Sequence, residues 1–87
     1  MDNLKFTRNL NLNDMSKVKE FVSIAQNITE DVVLRSGKFA VNGKSIMGVF
    51  SLDLSKPITL EIEPSFTTTV SDMSKISEKI SQFECVD

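Results

Sequence analysis

Directly after Pro57, the run Ile58-Thr59-Leu60-Glu61-Ile62-Glu63 alternates strictly between apolar and polar residues. A two-residue period buries one side of a strand, so Ile58, Leu60 and Ile62 face a core while Thr59, Glu61 and Glu63 face water. Proline cannot continue a helix and has no N–H to donate, which sets a boundary before the run. A sheet with one wet face needs a cover on the other. Val18, Phe21, Val22, Ala25 and Ile28 recur at helical spacing, and so do Met73, Ile76, Ile80 and Phe83. Helices with one apolar stripe and strands with one apolar face build two layers.

The remaining segments complete the order. Leu4-Lys5-Phe6-Thr7-Arg8 alternates and reads as a first strand. Asn9 to Asp14 holds three Asn and one Asp, the composition of a loop, with Asn13 or Asp14 as the cap of a helix over about Met15 to Gln26. Met15 and Met73 are expected in the core. Asp31–Arg35 is rich in β-branched residues and forms a second strand, and Phe39–Val41 a short third. Ser36-Gly37-Lys38 turns between them, with Gly37 free to take positive φ. Asn42-Gly43-Lys44 leads into a short helix from Ser45. Thr69 and Asp72 approximate a capping box for a last helix. The expected fold class is α+β, in the order β-α-β-β-α-β-α, as one domain over residues 1–87. Its four-stranded antiparallel sheet is covered on one face by three helices.

Composition narrows function. With no Trp or Tyr, the core is built from Phe, Ile, Leu, Val and Met. A net charge of −2 supplies no electrostatic footprint for nucleic acid. No apolar run approaches the ~20 residues needed to cross a bilayer, and Met1-Asp2-Asn3-Leu4-Lys5 is not a signal peptide. The cytoplasm is the expected location. Cys85 is the single cysteine, so an internal disulfide and a cysteine metal cluster are excluded, and it reads as a free thiol at a frayed end. The chain has no histidine. Ser/His and Cys/His nucleophilic pairs, histidine general bases and histidine metal sites therefore have no residue to use. No cofactor is expected.

The stretch most suggestive of function is Lys44-Ser45-Ile46-Met47-Gly48-Val49-Phe50-Ser51-Leu52. Ser45 is a good helix N-cap. Ile46, Met47, Val49 and Phe50 cannot share one narrow stripe on so short a helix, so some face a core and others stay exposed. A plain, unmodified cap accounts for Ser45, and core packing accounts for Met47 and Phe50. A serine at a helix start beside an exposed apolar patch is also a place where an added phosphate is stabilised.

This stretch resembles the second helix of HPr, the small histidine-containing phosphocarrier of the bacterial sugar phosphotransferase system, and most closely its Gram-positive members. The element order and open-faced two-layer architecture of that family match the order read above. The resemblance implies that Ser45 stands at the regulatory serine, which an ATP-dependent HPr kinase/phosphorylase modifies. The phosphorylated family protein binds a catabolite-control transcription factor. Ile46, Met47 and Phe50, with Lys44 beside them, would form the apolar patch both partners contact.

The family's first helix opens with Gly-[Leu/Ile]-His-Ala-Arg-Pro-Ala. Set against it without a gap, the histidine falls on Asp14, the arginine on Ser16 and the proline on Lys17. The phosphoryl acceptor and the cation that neutralises the phosphate are both missing. In lacking the histidine while keeping the serine, the chain is similar to catabolite-repression HPr. It departs from that class in losing the arginine. The resemblance therefore implies a non-enzymatic regulatory or interaction module acting through Ser45. Two alternatives stand beside it: a divergent phosphocarrier forming an acyl phosphate on Asp14, and a paralogue that is never phosphorylated. For Asp14, the plain reading is a carboxylate capping a helix.

Overall fold

The computed structural model describes residues 6–85. Four strands, β1 (Phe6–Leu10), β2 (Asp31–Ser36), β3 (Phe39–Asn42) and β4 (Ile58–Glu63), form one sheet in the order β1-β4-β2-β3, antiparallel throughout. Helices α1 (Met15–Gln26), α2 (Ile46–Phe50) and α3 (Val70–Ile80) cover one face. The architecture is the expected α+β open-faced sandwich.

The two-residue period of β4 decides which face is covered. Ile58, Leu60 and Ile62 are fully buried. Register carries that choice across the sheet, because directly paired residues share a face. Phe6, Ile62 and Val32 make one inner row, and Leu60, Leu34 and Val41 another. The helical stripe Val18, Phe21, Val22 and Ala25 packs onto these rows, with Met73, Ile76 and Ile80 of α3 beside it. A 3-10 turn at Ser81–Phe83 follows α3 and sets the Phe83 ring edge-on to Phe21, 5.8 Å between centroids.

Caps behave as the local sequence dictates. Asp14 caps α1, its Oδ1 accepting from Ser16 N–H at 2.8 Å. Thr69 and Asp72 close a full capping box, with both reciprocal bonds at 3.1 Å. Ser36 pairs with Phe39 across the two-residue loop Gly37-Lys38. Gly37 takes φ of 60° while Lys38 does not, the pattern of a type II′ turn.

The outer face also has paired rows. Arg35 Nε meets Glu61 Oε2 at 2.9 Å, and Thr59 Oγ donates to Asn9 Oδ1 at 3.2 Å. Thr59 and Glu61 are thus half-buried rather than exposed, because β4 is an inner strand with side chains of both neighbours leaning over it.

Other expectations need correction. β1 runs through Asn9 and Leu10, where the asparagine-rich composition predicts a loop. Leu10 is fully buried opposite Ile58, and that pairing outweighs the turn preference of the neighbouring asparagines. Leu4 and Lys5, given to the same strand, lie outside the described residues. β2 includes Ser36 and β3 includes Asn42, each one residue longer than expected. Met15 is 62% exposed, not in the core: it is the first residue of α1, one turn before Val18, where the buried stripe begins. Cys85 does not fray. Its N–H donates to the Asn9 carbonyl at 3.0 Å, next to an Asn11 N–H bond to the Phe83 carbonyl at 2.7 Å. The end of the described chain thereby covers the outer edge of β1.

Candidate functional site

The start of α2 is built by the three residues before it. Gly43 N–H donates to the Val32 carbonyl at 2.8 Å, bringing the backbone tight against β2. A Cβ at Gly43 would lie 2.6 Å from Val32 Cγ1, so only glycine fits without displacing a buried side chain. Asn42 holds the turn twice: its Oδ1 accepts from Lys44 N–H at 2.9 Å and its carbonyl from Ser45 N–H at 3.0 Å. Gln26, at the end of α1, donates to the Lys44 carbonyl at 3.1 Å and ties the turn to the first helix.

Ser45 then acts as the N-cap. Its Oγ accepts from Gly48 N–H at 3.2 Å, and its carbonyl accepts from Val49 N–H at 3.0 Å. The helix is a single turn, Ile46–Phe50, and Ser51 closes it with its hydroxyl bound to the Gly48 carbonyl. So short a helix buries one residue fully, Val49 at 0% exposure. Met47 is 78% exposed, and Ile46 and Phe50 are exposed by more than a third. The structure therefore places Lys44, Ser45, Ile46, Met47 and Phe50 on one short element, with three apolar side chains reaching solvent beside a half-buried serine.

Asp14 and Ser16 stand at the start of α1, which packs beside α2. Both are exposed, and the Asp14 carboxylate accepts the Ser16 N–H as the cap of α1. Lys17 is half-buried.

The loop after α2 contains a second small device. Asp53 Oδ1 accepts the Ser55 hydroxyl at 2.6 Å and the Ser55 N–H at 3.2 Å. These bonds, the hydroxyl first, hold the Asp53 carboxyl below its usual range, against an opposing desolvation and with a smaller contribution from the Lys56 charge.

Three features were not legible beforehand. Phe39 was assigned to a strand, yet its side chain is 73% exposed. Phe66 and Val70 are exposed at the entry to α3. Glu30, a carboxylate at the α1–β2 connection, is buried and accepts the Thr68 hydroxyl at 2.6 Å. The bond spans thirty-eight residues of sequence, and no local signal marks such a pair.

Among the described residues, no helix is long and apolar enough to cross a membrane. A protein-family model described as "PTS HPr component phosphorylation site" matches residues 15–83. The match begins one residue after Asp14 and contains the whole of the Ser45 element. No curated protein matches the chain.

Proposed function

The chain belongs to the HPr family of the sugar phosphotransferase system, whose members are phosphocarrier proteins and not enzymes, and on that premise we propose that this member is a regulatory and interaction module acting through Ser45. Membership implies contact with other proteins of the system.

The observation that carries the proposal is the pairing of a capping serine with an unburied apolar surface. Met47 is 78% exposed immediately after it. Transfer of a phosphoryl group from ATP to Ser45 Oγ would add a charge of about −1.5 to −2 beside Lys44 and the Ile46, Met47 and Phe50 side chains. The bulk of the fold need not change. The surface offered to a partner changes from neutral to anionic with an apolar margin. Flexible methionine suits such a surface because it adapts to different partners.

The chain has no histidine, so a histidine-borne phosphoryl relay has no acceptor. In this reading Asp14 occupies the phosphohistidine position and Ser16 the arginine position. Asp14 Oδ1 and Ser45 Oγ both serve as helix caps, and the exposed Ile46, Met47 and Phe50 beside the serine favour it over the aspartate as the modified group. The proposed partners are an HPr kinase/phosphorylase and a catabolite-control transcription factor, and the proposed setting is the bacterial cytoplasm. Without a guanidinium at Ser16, the phosphoserine and the apolar patch must carry the transcription-factor contact.

The test is intact mass after incubation with ATP, magnesium and an HPr kinase/phosphorylase, followed by mapping. The expected result is one hydroxylamine-stable phosphate on Ser45. No gain with the kinase overturns the reading. A hydroxylamine-labile phosphate formed with enzyme I and phosphoenolpyruvate would transfer the role to Asp14.

A further inference from the structure

Gln26 stands 18 residues before Lys44, yet its side chain reaches the peptide group that immediately precedes Ser45. Its Nε2 donates to the Lys44 carbonyl at 3.1 Å. The N–H of that same peptide group belongs to Ser45 and donates to the Asn42 carbonyl at 3.0 Å. The oxygen and the N–H of one peptide unit lie in a single plane with both flanking Cα atoms. Holding the oxygen from α1 and the N–H from the turn therefore fixes the plane that contains the Ser45 Cα. The Lys44 N–H, bound to Asn42 Oδ1 at 2.9 Å, fixes the peptide before it.

The anchor at the end of α1 is itself firm. Gln26 is the last residue of the helix and follows Ala25, which is fully buried. Asn27 closes the helix, its N–H meeting the Ile24 carbonyl at 3.0 Å and its Nδ2 the Ser23 carbonyl at 3.1 Å. The turn cannot retreat toward β2, because Gly43 is already packed on the Val32 side chain. Ser45 is thus held extended, at φ −107° and ψ 114°, with Oγ accepting the Gly48 N–H. Gln26 is exposed, and a bond made there replaces one to water. Its effect falls on orientation more than on stability.

We infer that Gln26 is a positioning residue for phosphoryl transfer to Ser45, holding the Lys44–Ser45 peptide so that Oγ meets the donor phosphate without prior rearrangement of the turn. The inference rests on the Ser45 reading above and adds the residue that orients the acceptor. In the transfer, Oγ bonds to the γ-phosphorus of ATP and the bond from that phosphorus to the bridging oxygen breaks. ADP leaves with the electron pair, and the hydroxyl proton passes to a base of the kinase. Gln26 acts on Oγ through the Lys44 carbonyl. Small errors in the placement of a reacting atom slow such a step steeply.

The test compares the wild-type chain with Gln26→Met, which keeps the length of the side chain and removes the donor, and with Gln26→Lys, which restores a donor. Phosphorylation by ATP and the HPr kinase/phosphorylase gives kcat and KM for each. Amide hydrogen exchange without the kinase gives the protection of Ser45 and Gly48. Gln26→Met should lower kcat by ~10-fold through misplacement of the acceptor, with KM and the thermal midpoint close to wild type. Exchange at Ser45 and Gly48 should quicken, while that of Leu60 in β4 should not. Gln26→Lys should recover most of kcat and of the protection. An unchanged kcat, a loss that Gln26→Lys does not recover, or unchanged exchange at Ser45 overturns the inference and leaves the Ser45 reading standing. A wild-type chain that takes no phosphate on Ser45 overturns both.

Discussion

The Ser45 hydroxyl oxygen accepts the Gly48 N–H at 3.2 Å, and with the Ser45 carbonyl, which accepts the Val49 N–H at 3.0 Å, it starts the single-turn helix that carries Met47 and Phe50. A five-residue helix has little propensity of its own to hold it together. Its presentation of the apolar patch therefore depends on the cap at one end and Ser51 at the other.

Ser45→Ala should cost about 1 kcal/mol through loss of the cap. Ser45→Asp should recover most of that, because a carboxylate caps as well as a hydroxyl. Urea unfolding of the three proteins measures both. A loss near zero for the alanine variant would show that the bond does not hold α2.

The two glycines flanking Ser45 should respond in opposite directions. Gly43→Ala forces a Cβ to 2.6 Å from Val32 Cγ1, against a stiff and buried β-branched side chain. Overpacking of this kind costs about 1–3 kcal/mol. At Gly48 an added Cβ would sit 3.4 Å from Val41 Cβ and from Ser45 Oγ, ordinary contact distances. Gly48→Ala should therefore stabilise by up to about 1 kcal/mol through helix propensity. Denaturant midpoints of the pair check the signs together.

Thr68→Val should be destabilising by about 1.5–3 kcal/mol, the range for a hydrogen bond to a charged group. The variant removes the donor that meets Glu30 at 2.6 Å and the oxygen that accepts Ser65 N–H at 2.8 Å. Thr68→Ser keeps both and should lose far less. Thermal melts of the two variants distinguish the hydroxyl from the methyl group.

Asp53 supplies a pH dependence whose sign is set by its depressed pKa. The Ser55 hydroxyl and N–H favour the ionised carboxylate, holding it below the ordinary 3.8. The stability it adds is complete above the unfolded carboxylate's pKa and is lost as pH falls through the lower folded value. Ser55→Ala should move the Asp53 titration upward, toward 3.8, as read from its side-chain carboxyl carbon by NMR. An unchanged titration would show that the hydroxyl is not the cause.

Legibility in the sequence follows the span of the interaction. The Asp14, Ser45 and Thr69 caps each act within two or three residues, and each is where the residue types place it. The stripes of α1 and α3 and the alternation of β4 are equally local patterns, and their burial follows them. That some of Ile46, Met47, Val49 and Phe50 stay exposed was readable because so short a helix cannot bury all four, and the family resemblance pointed to Ile46, Met47 and Phe50 as the exposed ones. Asn9 and Cys85 depart from the expectation because their surroundings come from elsewhere. Asn9 is held by Thr59, fifty positions away, and by the N–H of Cys85.

What the sequence determined by itself was the period of each element, the residues that start and stop them, and the absence of any histidine to carry a phosphate. Periodicity and capping are short-range physics, so they are written along the chain. Strand order β1-β4-β2-β3, the Glu30–Thr68 bond and the exposure of the Phe39 ring were decided only by tertiary structure. Each depends on which distant surfaces meet when the apolar faces are buried together, and that is settled by packing in three dimensions.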